Sequence, residues 1–156
     1  MITKRTSTTT WNNSGADLMG HGLITSESKC INNVQITTGS RYKDESGANP
    51  EELVSAAQSS CFTMILIKML KKAGYKDLRI KTDCTIKFDV DRIIESNLYV
   101  NANIPNMAES VFLEFLEKAK NESLITKVLK VKVTVECNFN SNKLGLPDVA
   151  ILGRNL

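Results

Sequence analysis

Histidine is almost missing from this chain: His21 is the single one in 156 residues. The commonest zinc ligand and the usual general base are therefore scarce. No Cys-x-x-Cys pair compensates, because Cys30, Cys61, Cys84 and Cys137 are spread singly along the sequence. A zinc site, which needs clustered ligands, is not expected, nor is a dithiol centre of the thioredoxin kind. No unbroken apolar run exceeds the length of Met64 to Ile67, far below the ~20 residues of a membrane span. The start, Met1-Ile2-Thr3-Lys4-Arg5, lacks the apolar core of an export signal. These absences lead us to expect a cytoplasmic protein with no membrane partner, and a disulfide framework is not expected in that setting. The net charge of +3 arises from interspersed Lys, Arg, Asp and Glu rather than a basic tract, so no nucleic-acid partner is expected either.

What is present suffices for one core. A chain of this length buries roughly 70% of its unfolded surface without a staple. We expect a single domain over residues 1–140. Residues 141–156 form a C-terminal extension whose Leu144, Leu146, Val149, Ile151 and Leu152 are apolar enough to dock on the body or on a partner subunit. The first third is rich in Thr, Ser, Asn and Gly, and its β-forming runs, Thr6 to Asn12, Gly22 to Glu27 and Val34 to Thr38, predict a three-stranded meander. Period-2 alternation predicts a half-buried strand carrying Leu78, Ile80, Cys84, Ile86, Phe88 and Val90. A second carries Leu98, Val100, Ala102 and Ile104, and a third Leu129, Val131, Val133, Val135, Cys137 and Phe139. All three are expected in an antiparallel sheet with one wet face. An amphipathic helix from about Met107 to Asn121 should pack on that sheet.

The most informative stretch is Asn49-Pro50-Glu51-Glu52-Leu53. Asn49 can cap a helix, Pro50 suits the first helical position and the glutamates suit the positive end of the dipole. The helix should run to about Lys72 and stop at Gly74. Its centre, Cys61-Phe62-Thr63-Met64-Ile65-Leu66-Ile67, is apolar on nearly all sides and predicts a buried helix. Cys61 on such a segment reads either as a small buried hydrophobe or as an activated thiol. Arg41 reads by itself as a surface arginine, and Glu51 as a first-turn glutamate. His21, between two glycines, reads as a loop residue with no catalytic role. Cys84 and Cys137, on the apolar phase of their strands, read as packing residues, and Cys30 as a turn residue.

Arg41-Tyr42, Asn49-Pro50-Glu51-Glu52-Leu53, Ala56-Ala57 and Cys61-Phe62, taken in order, resemble the signature of the OsmC-like family, the osmotically inducible and organic hydroperoxide resistance proteins. The resemblance runs from about Thr10 to about Phe139. It implies an α+β fold: a curved, mainly antiparallel sheet packed on a long central buried helix, plus a second helix. It also implies an intertwined homodimer with a site at the subunit interface, and a thiol-dependent peroxidase acting on organic hydroperoxides. In that chemistry Cys61 attacks, Arg41 favours the thiolate and polarises the departing oxygen, and Glu51 holds the guanidinium in place. A thiol so deep in its helix gains little from that helix's own dipole, and burial raises its pKa, so a cation is expected beside it. No bound cofactor is expected, only an external thiol reductant.

The chain departs from the family at one telling place. Peroxidase members carry a second, resolving cysteine at the start of a short helix. The matching stretch here is Ser123-Leu124-Ile125-Thr126-Lys127, which puts Ser123 at that position. Three readings stay open: a one-cysteine peroxidase whose sulfenic acid is reduced by an outside thiol or lipoyl group, a substitute resolving role for Cys30, Cys84 or Cys137, and a non-catalytic module that binds a hydrophobic ligand or senses oxidant.

Overall fold

The computed structural model describes residues 2–12, 20–43 and 45–140; the C-terminal extension inferred above lies outside them. Two compact units divide inside a helix, between Val54 and Ser55.

In the first unit, β1 (Ser7–Asn12), β2 (His21–Ser26) and β3 (Val34–Thr37) form an antiparallel meander in the order β1-β2-β3. His21 begins β2 and pairs with Asn12 and Thr37, so it is a strand residue and not a loop residue. Gly22 is needed because the Trp11 ring lies across it: a Cβ there would come within 2.5 Å of Trp11 Cε3. The expected third strand stops at Thr37, which instead caps a short helix, α1 (Thr38–Tyr42), by accepting from Ser40 N–H at 2.9 Å. Arg41 sits in the last turn of α1.

The long helix α2 (Pro50–Lys72) has the predicted ends. Asn49 Oδ1 accepts from Glu52 N–H at 2.8 Å and Asn49 N–H reaches back to Glu52 Oε2 at 3.4 Å. This reciprocal capping box gives Glu52 a definite partner beyond its effect on the dipole. At the far end Tyr75 N–H donates to Leu70 O and Gly74 N–H to Lys71 O, both at 3.1 Å. That pair of bonds is a Schellman motif, and Gly74 fills its left-handed position with φ +91°.

In the second unit, β4 (Arg79–Phe88), β5 (Ile93–Asn103) and β6 (Lys132–Phe139) form a sheet in the order β4-β5-β6. β4 and β5 are antiparallel, but β6 runs parallel to β5, so the antiparallel sheet that alternation implied for these three strands holds one parallel pair, within the mainly antiparallel fold expected. The reason is the connection: α3 (Glu109–Glu122) and α4 (Leu124–Val128) occupy the link from β5 to β6 and carry the chain back to the starting end. Asn140 fixes that register, donating from its N–H to Ala102 O at 2.7 Å and accepting from Ile104 N–H at 3.1 Å. Val90, expected on the apolar face of β4, lies past the strand's end and is exposed.

The core of this unit joins Phe62, Leu66 and Leu70 of α2, Leu98, Val100 and Ala102 of β5, and Phe112, Leu116 and Ala119 of α3. Phe112 stacks on Phe139 with centroids 4.6 Å apart. Ser55 Oγ donates to Cys84 O and Thr63 Oγ1 to Thr82 Oγ1, each at 2.7 Å, so α2 also meets β4 through hydroxyl groups. Within one chain α2 buries a narrow stripe, Gln58, Phe62, Leu66 and Leu70, while Ala56, Ala57, Ser60 and Met64 are exposed. By length and composition alone α2 could cross a membrane, with a mean hydropathy of 1.5 over its most apolar window. Unbroken run length does not register this, because Thr63 and Lys68 interrupt the run while the window as a whole stays apolar. That stripe packs with β5 and α3 in the core of the second unit.

Candidate functional site

Cys61 stands three residues after Gln58 and one before Phe62 on α2, so the helix turns its thiol to the edge of the buried stripe, half-buried. Facing it is the start of α4. Ser123 is fully buried and serves as the N-cap of α4, its Oγ accepting a long 3.4 Å bond from Thr126 N–H. The same hydroxyl donates to Cys61 Sγ at 3.4 Å. The residue aligned by resemblance with a resolving cysteine thus stands directly against Cys61.

Burial is the largest influence on the Cys61 thiol and pushes its pKa up. The Ser123 hydroxyl, then the backbone N–H groups of Ile125 and Leu124, pull it down further than burial raises it, and the net pKa lies below the ordinary thiol value. A hydrogen bond to the charged form favours that form. Donors at the first turn of α4 already favour the thiolate, and the sequence argument missed them because backbone N–H groups leave no mark on residue type.

The other cysteines sit in different settings. Cys84 Sγ lies 3.6 Å from Ser96 Oγ, and the thiol packs against the core. Cys137 packs there too, its pKa raised by burial and by the charge of Glu109. Cys30 is exposed in the turn after β2. Among the described residues no group of three His, Cys, Asp or Glu could hold a metal.

In the first unit, Arg41 Nη2 and Glu51 Oε1 form an ion pair at 2.6 Å. The Glu51 side chain is 9% exposed and that of Arg41 34%. α1 presents the arginine and the first turn of α2 the glutamate. Asn49 supports the join, its Nδ2 donating to Ser40 O at 3.2 Å. The guanidinium also lies over the Tyr42 ring, 5.0 Å from the centroid, a favourable cation–π placement. Fixed at short range to a buried carboxylate, this arginine is not the loose surface residue that its position by itself suggested. Two polar residues went unremarked in the sequence, Gln58 and Thr126, which are joined by a 2.8 Å hydrogen bond. Gln58 did leave a signal, being the one polar member of the buried series 58, 62, 66, 70.

An α+β chain with this helix, sheet and thiol is a member of a known class. The family model described as OsmC-like protein matches residues 43–138, and the chain belongs to that family. The peroxiredoxin OsmC of Escherichia coli K12 is 32% identical over 126 residues, covering 78% of this chain and 88% of the relative. Among solved structures, an OsmC-like protein of Vibrio cholerae superposes with a TM-score of 0.69 at 11% identity, covering 88% of this chain and 100% of that one. The organic hydroperoxide resistance protein OhrB of Bacillus subtilis does so at 0.58 and 20% identity, covering 85% and 98%. These structural likenesses bear out the fold.

Proposed function

We propose that this protein is a one-cysteine peroxidase that reduces organic hydroperoxides through Cys61 and depends on an external thiol or lipoyl reductant. The observation that carries the reading is the set of three donors, the Ser123 hydroxyl and the N–H groups of Ile125 and Leu124, that lowers the pKa of one thiol among four. A thiolate is the reactive form. The names of the relatives, a peroxiredoxin and an organic hydroperoxide resistance protein, support the same chemistry. Met64, Leu124 and Val128 are apolar and exposed near Cys61 in sequence or on α4, which suits an organic substrate.

Arg41, oriented by Glu51, joins the thiol in the active assembly and stabilises the departing oxygen. A buried ion pair adds little to a structure that only needs packing, which favours a working role for this one. The assembly is a homodimer in the cytoplasm. The uncovered apolar side of α2, with Met64 71% exposed, favours a second copy as its cover.

The test is anaerobic mixing of the reduced protein with one equivalent of an organic hydroperoxide, with a sulfenic acid trap, peptide mapping, and then turnover with a dithiol. The expected result is an adduct at Cys61, continued consumption with the dithiol, and loss of both in Cys61→Ser. Peroxide consumption surviving in that variant overturns the proposal. Arg41→Gln should slow the reaction with the thiol titration moved upward, and an unchanged titration and rate would remove the arginine from the mechanism. A sensing role is favoured by Ser123 in place of a resolving cysteine, and it predicts a single stoichiometric oxidation that the dithiol does not renew.

A further inference from the structure

Gln58 takes no part in the chemistry assigned above, yet its placement is unusual. The side chain is fully buried on α2, one turn before Cys61. Its Nε2 donates to Thr126 Oγ1 at 2.8 Å, while its Oε1 is buried with no hydrogen-bond partner. Thr126 N–H bonds to Ser123 Oγ, and the Ser123 hydroxyl bonds to Cys61 Sγ. Residues three apart on a helix are neighbours, so Gln58, Thr126, Ser123 and Cys61 close a ring that ties α2 to the first turn of α4. A purely mechanical tie explains the amide nitrogen. It leaves the oxygen unexplained, and an unpaired buried acceptor costs about 1–3 kcal/mol.

The reaction supplies the missing donor. The Cys61 sulfur attacks the terminal oxygen of the hydroperoxide, an S–O bond forms and the O–O bond breaks. The alkoxide leaves with the electron pair and takes a proton from water to become the alcohol. The sulfur is oxidised by two electrons and keeps the oxygen's hydrogen as Sγ–OH. A thiolate only accepts hydrogen bonds, whereas a sulfenic acid also donates one. The reduced site therefore has a surplus acceptor that the oxidised site can satisfy.

We propose that Gln58 is a positioning residue of the thiol site: its amide nitrogen holds the first turn of α4 through Thr126, and its free oxygen accepts the hydrogen of the Cys61 sulfenic acid. The second half rests on the peroxidase reading; the first does not. Holding the oxidised sulfur matters most where no resolving cysteine stands beside it, because the intermediate must then outlast the wait for an outside thiol.

Two variants of the full chain test this. Gln58→Leu removes both amide contacts at similar volume, and Thr126→Val removes only the tie. The rate of Cys61 alkylation by iodoacetamide against pH reads the tie without any peroxide. Trapping at increasing delays after one equivalent of cumene hydroperoxide reads the sulfenic acid's lifetime. We expect both variants to move the alkylation midpoint upward by the same amount, with the double variant moving it no further. Only Gln58→Leu should shorten the lifetime, roughly fivefold to tenfold for one lost hydrogen bond. An unmoved alkylation profile, or an unchanged lifetime in folded Gln58→Leu, overturns the proposal, and Gln58→Met replaces that variant if it does not fold. A wild-type protein that forms no sulfenic acid instead defeats the peroxidase reading and the oxygen's role with it, and the alkylation profiles then decide the tie.

Discussion

Ser123→Cys should turn Cys61 into half of a peroxide-driven disulfide. The hydroxyl oxygen at 123 is 3.4 Å from Cys61 Sγ, and a disulfide needs about 2.05 Å. The longer C–S bond and a modest χ1 rotation close most of that gap of about 1.4 Å, and no backbone element has to move far. The bond would join positions 62 residues apart. For a loop that long, the chain-entropy relation gives about 4 kcal/mol of stabilisation to the oxidised form, an upper figure because strain subtracts from it. The assay has two readings. Intact mass after one equivalent of hydroperoxide should show the loss of two hydrogens instead of a trapped oxygen adduct. Urea unfolding should show the oxidised variant more stable than its own reduced form by a large part of that figure. If the variant gives the same Cys61 adduct as the wild type and no disulfide, then Ser123 and Cys61 are not placed as described, and the donor set inferred for the thiol falls with them.

Two further outcomes follow from local geometry. Gly74→Ala puts a Cβ on a residue at φ +91° with nothing within 4 Å of it, so the penalty is purely conformational, about 1 kcal/mol in urea unfolding; a neutral result would argue against the left-handed cap. The pH dependence separates two thiols of opposite sign. Cys61 has a lowered folded pKa, so its stabilising contribution is full above the unfolded thiol pKa and is lost as pH falls through the folded value, whereas Cys137, with a raised folded pKa, favours the fold below the unfolded value and loses that contribution as pH rises through the folded one. Alkylation should therefore label Cys61 at a lower pH than Cys137, and the reverse order by peptide mapping would refute both assignments.

The sequence carried the fold wherever one residue's physics decided the outcome. Asn49-Pro50 and Gly74 marked both ends of α2, and alternation marked β4 and β5. It failed where the answer lay in connection and not in composition. The direction of β6 depends on how far α3 and α4 carry the chain, which period-2 alternation cannot register. α1 was missed because Thr37 reads equally as a strand end and as a cap. At the site, the family resemblance pointed to Cys61, Arg41, Glu51 and Ser123, and the geometry then added what no residue type displays: two backbone donors and a glutamine whose partner is 68 positions away.

Serine at position 123 does more than omit a disulfide. As an N-cap it satisfies Thr126 N–H, a task a thiol performs poorly, and its O–H is a far better donor to a thiolate than S–H. A resolving cysteine would, in its reduced state, offer Cys61 a weak donor or a competing negative charge, and either would leave the thiolate less favoured. On the proposed peroxidase reading, serine here moves the position from ending the reaction to starting it, at the expense of a self-contained cycle. On the proposed one-cysteine reading an outside reductant has to reach a half-buried sulfur, and the first residue of α4 beside it, Leu124, is 68% exposed. Such an edge suits a reductant with an apolar arm better than a strongly hydrated one. Comparing dihydrolipoamide with glutathione at equal thiolate concentration therefore asks which surface the serine has left the protein to rely on.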